Sequence, residues 1–186
     1  THTHLNLKRL TKHIDQHLLD CKTNNISQLI VPGIDIKSSQ VSLQLADKYP
    51  TQLKSAVGIH PEEVLDQGYS INLINQIEGM IDNPHVVAVG EIGLDYFYAK
   101  TQKKRNLQQE LFIKQINLAC KHNKSIIIHN RDSSNDLVDI IKSISSSKLT
   151  SKIVFHCCEP NFELLNLAIL RNIFIGVDGD ITYDQN

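Results

Sequence analysis

The histidines of this chain sit where a metal site could be built. There are nine in 186 residues, and several of them close short apolar runs. His2 and His4 stand in THTH at the start, His60 ends SAVGIH, His129 ends SIIIH and His156 ends KIVFH, while Glu91 ends HVVAVGE. Neutral imidazole and carboxylate suit zinc and other divalent ions. On an extended segment residues i and i+2 project to the same side, so His2 and His4 can grip one ion together. The five donors His2, His4, Glu91, His129 and His156 exceed the three protein ligands usual for one catalytic zinc. Two ions bridged by a carboxylate would use them better, and Glu91 is the only carboxylate among the five. Such a pair, about 4 Å apart, suits phosphate-ester hydrolysis, with one ion activating water and the other stabilising the leaving oxygen. Glu91 is therefore the expected catalytic carboxylate. No nucleophile elbow, P-loop or dinucleotide fingerprint competes for the role, and GVDGD (Gly176 to Asp180) reads as a strand-end turn.

The elements that must position these residues alternate along the chain. Continuous apolar runs cover Ser27 to Ile34, Ser55 to His60, His85 to Gly93, Ser125 to Asn130, Lys152 to Cys157 and Ile173 to Gly179. Such runs fit strands covered on both faces. Amphipathic stretches lie between them, at Arg9 to Asn24, Gln40 to Lys48, Asn72 to Ile81, Gln102 to His122, Asn135 to Ser146 and Phe162 to Leu170. In the fourth of these, Phe112, Ile116 and Ala119 share one face. SISSSK, from Ser143 to Lys148, reads as a helix end and turn. The rhythm is that of βα units in an α/β fold and runs through 1–186 without a linker, so a single domain is expected. THTH reads as the end of a further strand. Two architectures fit: a TIM (β/α)8 barrel, incomplete at both ends because such barrels typically need about 250 residues, and an open doubly wound sheet, which the length alone favours. Either fold builds its active site at the carboxyl ends of its strands, where these residues fall.

Composition narrows the function classes. With 41% hydrophobic residues the chain can pack a core, so disorder is excluded. Lys and Arg number 19 against 20 Asp and Glu, a formal charge of −1. That balance excludes coating of nucleic acid or anionic membrane through bulk charge. No apolar run approaches the roughly 20 residues of a membrane span, and the opening carries no apolar segment of the signal-peptide kind. The four cysteines form no CxxC pair and no disulfide framework; Cys157 and Cys158 read as packing residues. A monomer in a reducing cytoplasm, with no membrane partner, is the expectation.

In this order, THTHL, LIVPGID, VGIHPEE, VAVGEIGLDY, IIIHNRD and VFHC resemble the TatD family of metal-dependent deoxyribonucleases, within the wider metal-dependent hydrolases. GVDGDITYD is similar to the seventh-strand segment of one subgroup. The resemblance implies a TIM barrel in which His2 and His4 bind one ion, Glu91 bridges, and His129 with His156 hold a second. It implies hydrolysis of DNA phosphodiesters, from the 3′ end of single strands, with two divalent ions drawn from Mg²⁺, Mn²⁺ or Zn²⁺. By the same resemblance an Asp that opens the first motif falls before Thr1. A final metal-binding Asp, in a segment resembling ETDSP, falls beyond Asn186.

Further residues are candidates for substrate contact. His60 could meet a phosphate, or serve a structural hydrogen bond. Arg131 could hold a phosphate bidentately, or pair with a carboxylate. Tyr96, Phe97 and Tyr98 could stack on unpaired bases, or pack their own loop; Tyr96 is the expected substrate contact among them. Lys100, Lys103, Lys104 and Arg105 could meet a nucleic-acid backbone, or form a solvated helical turn. Two other functions stay open at this point: an amidohydrolase or phosphoesterase acting on a small molecule, and a scaffold that binds without catalysis.

Overall fold

A computed structural model of the chain describes residues 2–66, 68–144, 153–177 and 179. The elements follow in the order α1 (Lys8–Thr11), α2 (Ile14–Thr23), β1 (Leu29–Pro32), α3 (Ile36–Lys48), β2 (Leu53–Val57), a 3-10 helix (Pro61–Val64), α4 (Ile71–Ile81) and β3 (Val86–Asp95). They continue with α5 (Gln102–Lys121), β4 (Ser125–Arg131), α6 (Ser134–Ser143), β5 (Ile153–Phe155), α7 (Phe162–Arg171) and β6 (Phe174–Ile175). Side chains fix several helix starts. Asp35 and Ser38 form a reciprocal capping box on α3, Thr101 caps α5 and Asn161 caps α7, each satisfying backbone N–H groups that the first turn leaves orphaned.

Every strand pair is parallel, and the strands lie side by side in sequence order from β1 to β6. A doubly wound sheet reverses direction at its switch point, so its strand order cannot run monotonically. Adding each strand on the same side of the last is the winding of a (β/α)8 barrel, here a curled arc of six strands among the described residues. The incomplete-barrel expectation is met and the doubly wound alternative is overturned. Residues 2–4 are not themselves a strand, but the Thr3 N–H donates to the Ile30 carbonyl at 3.0 Å. Residues 2–4 thus lie along the free edge of β1.

The outer face of the arc packs under helices. Val57, Val89, Ile92, Ile126 and Ile128 meet Ile77, Ile81, Phe112, Ile116 and Leu137 in one buried core, each side chain contributing about 1.5–3 kcal/mol of transfer free energy. The inner face is lined by the smaller Ala56 and Ala88 with Ile127. Two buried glutamines of α5 fasten the loops that carry functional residues. Gln115 receives the Ile59 N–H at 2.8 Å and donates to the Ile59 carbonyl at 3.0 Å. Gln108 receives the Asp95 N–H at 2.9 Å and donates to the Pro61 carbonyl at 3.1 Å.

Several boundaries differ from expectation. The helix expected over Arg9 to Asn24 breaks after Thr11, whose hydroxyl donates to the Leu5 and Leu7 carbonyls and so competes with the helical ladder. β2 ends at Val57 rather than His60, and β5 at Phe155 rather than Cys157, whereas β3 runs two residues past Gly93 to Asp95. Thr1, the turn expected within SISSSK from residue 145 onward, Lys152 and most of GVDGDITYD lie outside the described residues. No described helix is long and apolar enough to cross a membrane, and no disulfide links the cysteines.

Candidate metal centre

Glu91 reaches the inner face because β3 carries a bulge. Val89 pairs with Ile126 and Ile92 with Ile128, so three steps on β3 oppose two on β4. Ala88 belongs to the inner cluster, yet Ile92, four residues on, packs beneath the helices. Strict alternation would place both on one face. The extra residue turns Glu91 inward, the kind of re-aiming that bulges provide next to active sites. Past the bulge, Glu91, Gly93 and Asp95 alternate onto the same side. Gly93 stands opposite His129 with φ +149, and a Cβ there would lie 2.0 Å from the His129 carbonyl oxygen. Only glycine lets the two strands approach at this point.

The two oxygens of Glu91 divide the histidines between them. Oε2 lies 3.1 Å from His2 Nε2 and 3.7 Å from His4 Nε2, and those two nitrogens are 3.0 Å apart. Oε1 lies 3.1 Å from His129 Nδ1 and 3.1 Å from His156 Nε2, with His60 Nε2 at 3.9 Å. The rings of His2 and His156 stack with centroids 3.6 Å apart. The structure thus gathers the four expected histidines His2, His4, His129 and His156 on the Glu91 carboxylate, whose side chain is only 5% exposed. Two donors each about 2.1 Å from a shared ion stand about 3.0–3.4 Å apart, so most of these spacings fit a divalent ion. Within 4.8 Å of one another lie the donors of His2, His4 and Glu91, and separately those of His60, Glu91 and His129. His156 meets the same Glu91 oxygen but falls outside the second trio.

Sequence reasoning missed Asp95. It is fully buried, its Oδ2 lies 3.1 Å from His129 Nε2, and its Oδ1 receives the Tyr98 N–H at 3.2 Å. The signal was present in VGEIGLDY, since Asp95 is four residues after Glu91 and on the same side, but the strand was expected to end at Gly93. The hydrogen bonds assign ring nitrogens. With Asp95 accepting at Nε2, His129 keeps a proton there; in the metal-free chain Nδ1 also carries a proton and donates to Glu91 at 3.1 Å, and losing that Nδ1 proton would free a lone pair for an ion. At His60 the reverse holds. Nδ1 accepts the Glu62 N–H at 3.3 Å, so Nε2 carries the proton and faces the cleft as a donor.

Charge follows this geometry. Burial alone would raise the Glu91 carboxyl, but hydrogen bonds with His129, His156 and His2 outweigh it and hold the group well below the carboxylate range. Burial opposes charge on His129 too, yet its bonds to Asp95 and Glu91 raise it to about 9. His60 is lowered to about 4, by burial first and then by the neighbouring His129. Burial and His2 lower His4 as well. Asp95 is lowered: burial disfavours its charge, but bonds from His129 and the Tyr98 backbone prevail.

The cluster opens into a cleft of about 350 Å³ lined by His4, His60, Glu62, Glu63, Glu91, His129 and His156, with Leu7 and Ile34 as apolar walls. Tyr96 does not line it. Its ring is 5% exposed, and its hydroxyl donates to Asp136 at 2.6 Å and accepts from Gln109 at 2.7 Å. The expectation that Tyr96 stacks on substrate is therefore corrected, because a ring buried between α5 and α6 has no open face. Its neighbours Phe97 and Tyr98 are exposed. Arg131 forms no ion pair among the described residues and instead lays its guanidinium 4.0 Å from the Phe97 ring centre. Lys104 pairs loosely with Asp66, in the segment between the 3-10 helix and α4, at 3.7 Å, and Arg105 donates to the Ala99 carbonyl just before its own helix.

Comparison with known proteins gives the same picture. The chain is 28% identical over 183 residues to the uncharacterized metal-dependent hydrolase YabD of Bacillus subtilis, a match covering 98% of this chain and 69% of YabD. It is 24% identical over 175 residues to a protein of Pectobacterium carotovorum named 3′-5′ ssDNA/RNA exonuclease TatD, covering 94% of this chain and 65% of that one. Its fold superposes on the crystal structure of YjjV, a TatD homologue of Escherichia coli K12, with a TM-score of 0.85 at 27% identity over 98% of this chain and 68% of that one. The profile of the TatD related DNase family matches residues 1–186 throughout. This chain belongs to that family and is a metal-dependent hydrolase.

Proposed function

We propose that the chain cleaves phosphodiester bonds of single-stranded DNA from the 3′ end, with two divalent ions held on either side of Glu91. The observation that carries this reading is the division of the Glu91 oxygens, Oε2 toward His2 and His4 and Oε1 toward His129 and His156. His2, His4 and Glu91 would hold one ion, and Glu91, His129 and His156 the other. Ions in these places would polarise a phosphoryl oxygen and lower the pKa of an attacking water. The name borne by the Pectobacterium relative supports the choice of single strands and of the 3′ end.

The chain's own residues supply positioning and charge. Glu91, kept ionised by its histidines, offsets the positive charge that two ions would concentrate between the strands. His60 presents a neutral Nε2–H to the cleft, suited to a phosphoryl oxygen and unsuited to ligation, since its lone pair at Nδ1 is already taken. Asp95 holds the His129 ring in the ligating tautomer. Arg131 presents its guanidinium edge to the flanking phosphate.

The test is digestion of a 5′-labelled single-stranded oligonucleotide with Mg²⁺, Mn²⁺ or Zn²⁺ beside an EDTA control. A metal-dependent ladder shortening from the 3′ end is expected. A chain that binds metal and hydrolyses a small phosphate ester, yet leaves the oligonucleotide intact, would show the proposal wrong and point to a small-molecule substrate.

A further inference from the structure

The loop after β3 presents an arrangement that the metal centre does not use. Phe97 and Tyr98 are large aromatics left 41% and 45% exposed. Their rings meet edge to face, with centroids 4.9 Å apart and planes at 88°. The Arg131 guanidinium lies 4.0 Å from the Phe97 centroid and 5.6 Å from that of Tyr98. Lys100 Nζ lies 4.9 Å from the Phe97 centroid. Burying an aromatic ring against the helices would stabilise the fold, as it does for Tyr96 next door; here two rings and two cations share the surface instead.

The position of the group follows from the same residue that orients the metal ligand. Asp95 holds His129 through Oδ2 and the Tyr98 backbone through Oδ1. Asp95 is also the register partner of Arg131, which follows His129 by two residues, about 7 Å along the strand. The Arg131 charge acts on Glu62, a wall of the metal cleft. The platform and the cleft are therefore neighbours on the carboxyl edge of β3 and β4.

We propose that Phe97, Tyr98 and Arg131 form a subsite that stacks one unpaired nucleobase of a single-stranded nucleic acid, a claim that rests on the nucleic-acid reading above. Aromatic rings and the guanidinium plane both stack on bases without regard to sequence. A guanidinium lying against a ring keeps its N–H edge free, and that edge with Lys100 meets the phosphate on the adjoining nucleotide. The occupant is thus planar, apolar on its faces and anionic beside them. The subsite is sequence-tolerant, because stacking reads the π-face that every base shares.

The experiment compares two labelled ten-residue oligomers of equal charge, one of thymidylate and one abasic, by fluorescence anisotropy. Binding is read in EDTA and, over the first seconds after mixing, in Mn²⁺. Wild type should bind the thymidylate oligomer about 5- to 150-fold more tightly than the abasic one. The double variant Phe97→Ala with Tyr98→Ala should close that gap, and Arg131→Ala should weaken binding of both oligomers; circular dichroism checks that each variant is folded. Equal binding of the two oligomers by wild type, or a gap that survives in the double variant, overturns the stacking subsite while leaving the hydrolase reading intact. If wild type binds neither oligomer in either condition, the nucleic-acid reading falls and the subsite falls with it.

Discussion

Replacing Asp95 by Asn isolates how the metal centre is held in shape. Asp95 is buried, and both its oxygens accept hydrogen bonds, one involving His129 Nε2 and the other from the Tyr98 N–H. Asparagine has the same shape but only one accepting oxygen, so it must present an NH₂ group to one of those N–H groups. Restoring an acceptor to His129 then requires the ring to rotate, or its proton to move to Nδ1, the nitrogen that faces Glu91. Loss of such an outer partner typically weakens metal binding about 10- to 100-fold, or about 1.4–2.7 kcal/mol. That range agrees with the roughly 1.5–3 kcal/mol of a hydrogen bond to a charged group. Competitive chelator titration with Zn²⁺ measures the affinity, and ¹⁵N chemical shifts of the His129 ring report the tautomer in the same samples. Affinity should fall within that range and the Nε2–H signature should weaken. Unchanged affinity together with an unchanged tautomer would refute the reasoning, and a drop in affinity with the tautomer intact would assign Asp95 a purely electrostatic part.

Other consequences can be checked one by one. Gly93→Ala places a methyl 2.0 Å from the His129 carbonyl at a φ that alanine tolerates poorly; thermal unfolding should show a loss of about 3 kcal/mol or more. Tyr96→Phe removes the hydroxyl shared by Asp136 and Gln109, so stability should fall by about 1.5–3 kcal/mol while KM for an oligonucleotide stays unchanged; a raised KM would return Tyr96 to the substrate. His129 rises from 6.5 to about 9 on folding. Since the folded value is the higher one, its contribution to stability is complete below pH 6.5 and disappears as pH climbs through about 9. The metal-free chain should therefore lose melting temperature between those limits, and His129→Gln should flatten that decline; an equal slope in both proteins argues against the proton bridge.

The order of strands and the convergence of histidines were legible because both follow from simple periodicities. Apolar runs of β-branched residues mark buried parallel strands, and a histidine at the end of such a run must reach the carboxyl edge. The convergence of these side chains could be read even though several strand ends were misplaced by a few residues, because His60 and His156 still leave their strands on that edge. What could not be read were the departures from periodicity. The bulge beside Glu91 inverts the alternation of β3, and nothing in HVVAVGEIG distinguishes it from regular strand. The consequence was an early end for β3, and with it the loss of Asp95, whose part depends on a hydrogen bond to a residue 34 positions away. Tyr96 failed for a related reason. Three consecutive aromatics look equivalent in sequence, and only the packing of α5 against α6 decides that Tyr96 turns inward while Phe97 and Tyr98 stay exposed.

The central claim is that one carboxylate, Glu91, holds two ions between opposed histidines. Calorimetric titration of the metal-free chain with Mn²⁺ or Zn²⁺, with bound metal counted by elemental analysis, tests it directly. The account predicts two ions per chain in the wild type and the loss of both tight sites in Glu91→Gln, because each Glu91 oxygen serves one set of histidines. A single ion in the wild type, or two ions retained by Glu91→Gln with unchanged affinity, would contradict it.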